Sequence, residues 1–126
     1  MKVDTLRIIA LRLNHQVETL GYLIEEDGRA SSALRYQGTA RGDPGDSQEK
    51  APLRLAIVDA TYPSGFSDPY HNNVDEAAES GLEIAERTVL SHISHKNLPF
   101  LEFTKHVRKR WGNKVLVAYD GMVFYV

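Results

Sequence analysis

The chain has 126 residues, 42% apolar and 25% charged, with a formal net charge of −2. This size and composition suit one globular domain spanning residues 1–126 and argue against wholesale disorder. With no cysteine, disulfides, thiolate nucleophiles and cysteine-held zinc or iron–sulfur centres are excluded.

Residues 3–27 carry Val3, Leu6, Ala10, Leu13, Val17, Leu20 and Ile24 at alternating steps of three and four, the spacing of an amphipathic helix. Gly28 would end it, and Gly21 would weaken it. The same spacing fits heptads, so self-association through helix 3–27 is an expectation. Asp4, Arg7, Arg12 and Asn14 interrupt any signal-peptide core, and no apolar run is long enough to span a membrane. A cytoplasmic location is therefore expected. Residues 38–52 concentrate Gly, Pro, Asp and Ser, which predicts a mobile loop. Its Arg41-Gly42-Asp43 string is read as coincidence.

Leu53–Ala60 predicts a strand with a buried face. The loop 61–73 contains two prolines and a glycine and cannot be regular. Asn73 followed by Glu76 predicts a capping box. From there, Ala78, Leu82, Ala85, Val89 and Ile93 predict a helix over 74–96, with Glu79, Glu83 and Glu86 on its solvated side. Asn97 and Pro99 break the pattern, and Phe100, Phe103, Val107 and Trp111 predict a third helix over 99–111 that Gly112 ends. Residues 114–126 set two apolar runs either side of Asp120-Gly121, the dipeptide of a tight type I′ hairpin. The expected fold class is α+β: a small antiparallel sheet, strand 53–60 plus hairpin 114–126, covered by two or three helices.

Four groups of residues have chemistry to offer. The loop 61–73 gathers Tyr62, Ser64, Phe66, Ser67, Asp68, Tyr70 and His71 after a strand ending at Asp59. His71 could serve as a general base oriented by Asp59 or Asp68, although polar loop residues more often satisfy their own backbone. His92 and His95, spaced i, i+3 on the expected helix, could share a metal with His71, His106 or Asp68. A half-buried, hydrogen-bonded histidine is the commoner explanation. Asp59 and Asp120, each after an apolar run, could hold Mg²⁺, but Asp120 is better explained by its turn.

The fourth group is basic. Residues 51–90 hold 2 basic and 7 acidic groups, whereas residues 91–126 hold 6 and 2. Lys105, Arg108, Lys109, Arg110 and Lys114 lie on or beside the third helix, which suits phosphate contacts. A charge run is by default a solvated face. Phosphate-loop, dinucleotide, Gly-x-Ser-x-Gly and His-Glu-x-x-His patterns are absent, and no cofactor is expected. These features favour a small protein-binding regulator, adaptor or inhibitor whose partner, a basic protein being one option, meets Tyr62, Phe66, Asp68, Tyr70 and His71. The alternatives are a nucleic-acid-binding protein using helix 99–111, and a metal-dependent enzyme built from His71, His92 and His95 with Asp59 or Asp68.

Overall fold

A computed structural model of the chain describes residues 2–13, 15–26, 29–35 and 52–126. Residues 38–51 of the expected mobile loop lie outside the described residues. The elements run β1 (Lys2–Val3), β2 (Leu6–Leu13), β3 (Thr19–Glu26), β4 (Arg29–Arg35), β5 (Leu53–Asp59), α1 (Val74–Ile84), β6 (Ala85–Ser91), α2 (Phe100–Trp111), a 3-10 turn (Gly112–Lys114) and β7 (Val115–Val117). All seven strands form one sheet in sequence order. Neighbours from β1 to β4 are antiparallel, and from β4 to β7 they are parallel.

This replaces the expected small antiparallel sheet with a mixed one. Strand 53–60 is found, as β5, but it is flanked on both sides by parallel neighbours. A parallel sheet buries both faces of its inner strands, which is why β5 reads as a near-continuous apolar run. Alternate residues Ala56, Val58 and Ala60 point to one side. There they join Leu90, Val115 and Val117 in a single buried cluster with Val74, Ala77 and Ala78 of α1 and Phe103 and Val107 of α2.

The expected helix 3–27 is instead the β2–β3 hairpin, paired from Leu6↔Glu26 to Leu13↔Thr19. The apolar positions of this segment fit both periods, and long-range pairing decided between them. Gly21, a defect in a helix, is a buried strand residue opposite Leu11. The Arg7–Glu25 ion pair, 3.3 Å, joins directly opposed residues and reinforces that register. The helical seam on which self-association rested is not formed.

The expected helix 74–96 stops at Ile84, and Ala85 turns extended at φ −138°, ψ 154°. The rest of its apolar stripe belongs to β6, where β-branched Thr88 and Val89 are fully buried in the sheet. No glycine or proline marks the switch. The helix returns directly onto the strand that follows it, and Gly81 makes this approach possible. A methyl group there would come within 2.4 Å of both Thr88 Cγ2 and Thr88 Oγ1.

The third helix is found as α2. The hairpin 114–126 is not. Only Val115–Val117 is a strand, and it pairs in parallel with β6. Asp120-Gly121 does turn the chain, with Met122 N–H donating to Tyr119 O at 3.0 Å. Of the two central residues only Gly121 has positive φ, 82°. That is the signature of a type II turn, which splays flanking strands, whereas type I′ needs positive φ at both. No described helix is long and apolar enough to cross a membrane.

Gly81→Ala should destabilise the fold by about 2 kcal/mol in urea unfolding, because overpacking against buried Thr88 outweighs the better helix propensity of alanine. The penalty should shrink in a Thr88→Ala background, which a double-mutant cycle measures.

Candidate metal centre

The parallel strands end together on one edge of the sheet, and ligand sites of open α/β sheets lie outside such carboxyl ends. Asp59 is the last residue of β5, and opposite it in register is Ser91, the last of β6. His92 follows at once. The Asp59 side chain has no exposure, that of His71 is 24% exposed and that of His92 49%.

The three groups converge. Asp59 Oδ2 lies 3.2 Å from His71 Nδ1, and Asp59 Oδ1 lies 3.3 Å from His92 Nδ1. The two imidazoles stack nearly parallel at 15°, with centroids 5.7 Å apart. Buried Thr61 sits among them. Its hydroxyl donates to Asp59 Oδ1, and its oxygen lies 3.2 Å from His71 Nδ1 and 2.9 Å from His92 Nδ1. Both rings therefore turn Nδ1 toward the Asp59 carboxylate and the Thr61 hydroxyl, and the three residues present their donor atoms to one another.

The donor set fits a metal ion. One donor atom from each of Asp59, His71 and His92 can be chosen so that all lie within 4.8 Å of one another. Two ligands about 2.1 Å from a tetrahedral ion stand roughly 3.4 Å apart, close to the carboxylate–imidazole separations here. The charge balance points the same way. Among the described residues no lysine or arginine pairs with Asp59; its ionic partners are the two histidines. Imidazoles carry no permanent charge, and a buried carboxylate without a cation is costly.

Each donor is held by backbone the local sequence dictates. The loop 61–73 is pinned shut at its ends, Tyr62 N–H donating to Asn72 O at 3.2 Å and Val74 N–H to Tyr62 O at 3.0 Å. Asn72 Nδ2 ties it to Asp59 O at 3.2 Å, and Asn73 Nδ2 to Phe66 O at 2.8 Å. Asn73 and Glu76 form the expected capping box at the start of α1. Asp68 does not face the centre. Its Oδ1 accepts the N–H groups of Tyr70 and His71, both at 2.8 Å, and so fixes the backbone that presents the His71 ring. His92 has φ 55°, a left-handed conformation uncommon for a residue with a side chain and concentrated at functional sites.

The remaining expected residues distribute differently. Tyr62 and Phe66 stack at 4.3 Å beside the centre, and Tyr62 meets His71 edge-on at 6.1 Å. Tyr70 packs near His15, with centroids 6.0 Å apart. His95 and His106 are exposed and stand outside the donor cluster, as does Asp120. The i, i+3 spacing of His92 and His95 has no helix beneath it. Lys105, Arg108, Lys109 and Lys114 are exposed on or just beyond α2, while Arg110 is engaged with Asp75 and Glu79 and lies over Trp111.

The sequence reading missed His15. It follows β2 in the hairpin turn and brings its ring 5.4 Å from that of His71 at 85°. Read as the middle of a helix it had no reason to be near the site. The signal for it was the polar break between two runs that also alternate as strands.

No protein-family model and no curated protein sequence matches the chain. Solved structures do. The chain is similar to the metallo-beta-lactamase fold protein YhfI from Bacillus subtilis, with a TM-score of 0.74 and 16% identity over 98% of this chain and 51% of that one. It is similar to a diphosphatase of the PhnP family, with 0.68 and 21% over 97% and 44%. It is also similar to the short form of human tRNase Z, with 0.65 and 23% over 99% and 45%. These likenesses establish the fold as that of metallo-beta-lactamase fold proteins, and the chain spans about half the length of the structures it matches. They overturn the regulator, adaptor or inhibitor reading, and the fold brings together Asp59, His71 and His92, residues of the metal-dependent alternative.

Two outcomes test the geometry. Asp68→Ala should weaken zinc binding roughly tenfold in calorimetric titration by loosening His71. His92→Gly should abolish tight zinc binding yet stay within about 1 kcal/mol of wild-type stability in urea, because relief of the left-handed backbone offsets the lost ring contacts.

Proposed function

We propose that the chain carries the metal-binding core of a hydrolase acting on phosphate esters. The observation that carries this reading is the convergence of Asp59, His71 and His92 at the carboxyl ends of β5 and β6. Two of the similar structures, by their descriptions a diphosphatase and a tRNase, support phosphoester bonds as the substrate class.

Asp59, His71 and His92 would hold the ion. A bound divalent ion supplies a Lewis acid for a phosphoryl oxygen and a water acidic enough to be a nucleophile near neutral pH. The residues of the chain supply the rest. Asp59 provides the negative charge that selects a cation, and Thr61 holds that carboxylate in place. The half-exposed ring of His92 and the partly exposed ring of His71 face the side from which substrate enters. Tyr62 and Phe66, chosen from sequence as partner anchors, form a wall of this entrance.

Asp59→Asn preserves shape while removing the charge. It should lower zinc affinity by about two orders of magnitude and abolish metal-stimulated hydrolysis of bis(p-nitrophenyl) phosphate. Equal zinc affinity in wild type and Asp59→Asn would overturn the proposal.

A further inference from the structure

The segment after His92 carries a second feature of the entrance. Ser94 N–H and the Asn97 side chain both donate to Thr61 O, at 3.1 and 2.8 Å. Residues 92–97 are therefore tied to the residue that also holds the Asp59 carboxylate. Lys96 lies on this tied segment. Its Nζ is 5.2 Å from the ring centroids of both Tyr62 and Phe66, a cation–π arrangement that fixes the direction of an otherwise floppy side chain. Tyr62 is in turn the ring that meets His71 edge-on. The ammonium is thus one aromatic ring away from the donor cluster, on a short rigid connection to His92.

Its charge pairs with no described carboxylate. Among the described residues the carboxylates form ion pairs with Arg7, Arg12, Arg110 and the two histidines, and none with Lys96. The other cations of the C-terminal third lie on or just beyond α2. An exposed ammonium oriented by two rings, beside a cation-binding centre, is placed to receive an anion.

Resting on the reading of the centre as a phosphoesterase, we propose that Lys96 is a specificity-determining residue that binds a second phosphate group, next to the phosphoester that is cleaved. The preferred substrate class is then a small phosphoester carrying two phosphates. Tyr62 and Phe66 are positioning residues that aim the ammonium.

The test has a binding arm and a kinetic arm. In metal-free protein, Lys96→Met should weaken calorimetric binding of inorganic pyrophosphate and of inorganic phosphate alike, each about tenfold, with Lys96→Arg close to wild type. In zinc-loaded protein, Lys96→Met should raise KM for thymidine 3′-phosphate 5′-(p-nitrophenyl phosphate) about tenfold more than KM for bis(p-nitrophenyl) phosphate, with kcat for the former little altered. Circular dichroism confirms that the variant is folded. Wild-type pyrophosphate affinity in Lys96→Met, or an equal loss on both esters, would overturn the assignment. Failure of the hydrolase reading shows separately, as activity that survives Asp59→Asn, and the metal-free binding arm still decides the role of Lys96.

Discussion

A carboxylate with no solvent exposure and no permanent cation beside it is the constraint around which this structure is organised. Burying a carboxylate costs several kcal/mol even after the surroundings relax, so Asp59 can sit at the end of β5 only if other groups compensate it. The chain compensates it from three directions. Thr61, two residues on, donates its hydroxyl. His71 arrives on a loop stitched shut by the Tyr62–Asn73 bridge. His92 arrives from the adjacent strand in a backbone conformation that residues with side chains rarely adopt. None of these groups supplies fixed positive charge. The pocket meets the hydrogen-bonding capacity of the carboxylate with groups that carry no fixed positive charge, which suits a cation site.

The parallel half of the sheet makes that convergence unavoidable. Parallel neighbours end on the same edge, so the loops after β5 and β6 leave from adjacent points. The antiparallel half adds a third approach, since the β2–β3 turn brings His15 against His71. The helices lie behind. α1 is capped by Asn73 at the end of the site loop and packs back on β6 through Gly81, which holds the two histidine-bearing segments at a fixed distance.

Much of this was legible in the sequence, and the parts that were not share a cause. Signals confined to a few residues were read correctly. The apolar run 53–60, the irregular loop 61–73, the Asn73/Glu76 capping box and the stop at Gly112 each follow from local chemistry. Signals that depend on a distant partner were not. The segment 3–27 pairs with itself as a hairpin, and 85–91 becomes a strand because β5 and β7 lie on either side of it. The Asp120-Gly121 pair does make a turn, but one whose φ values direct the chain away from pairing. The site suffered in the same way. His71, Asp59 and His92 were each recognised as candidates, but placing His92 on a helix coupled it to His95, which is exposed and outside the cluster, rather than to Asp59, thirty-three positions away in sequence and adjacent in the sheet.

The basic C-terminal third looks different once its charges are located. Arg108, Lys109 and Arg110 occupy the last turn of α2, where cations favourably offset the partial negative charge of the helix end. Arg110 also bridges to Asp75 and Glu79 on α1, so part of the run serves to hold the two helices together. Lys96 has no such duty. It lies off the helix, on the segment that carries His92, oriented by aromatic rings and, among the described residues, not neutralised by a carboxylate. The charge asymmetry seen in the sequence thus separates into cations that stabilise α2 and one cation that belongs to the entrance of the site. That division, rather than the total charge, is what bears on the anions this protein would receive.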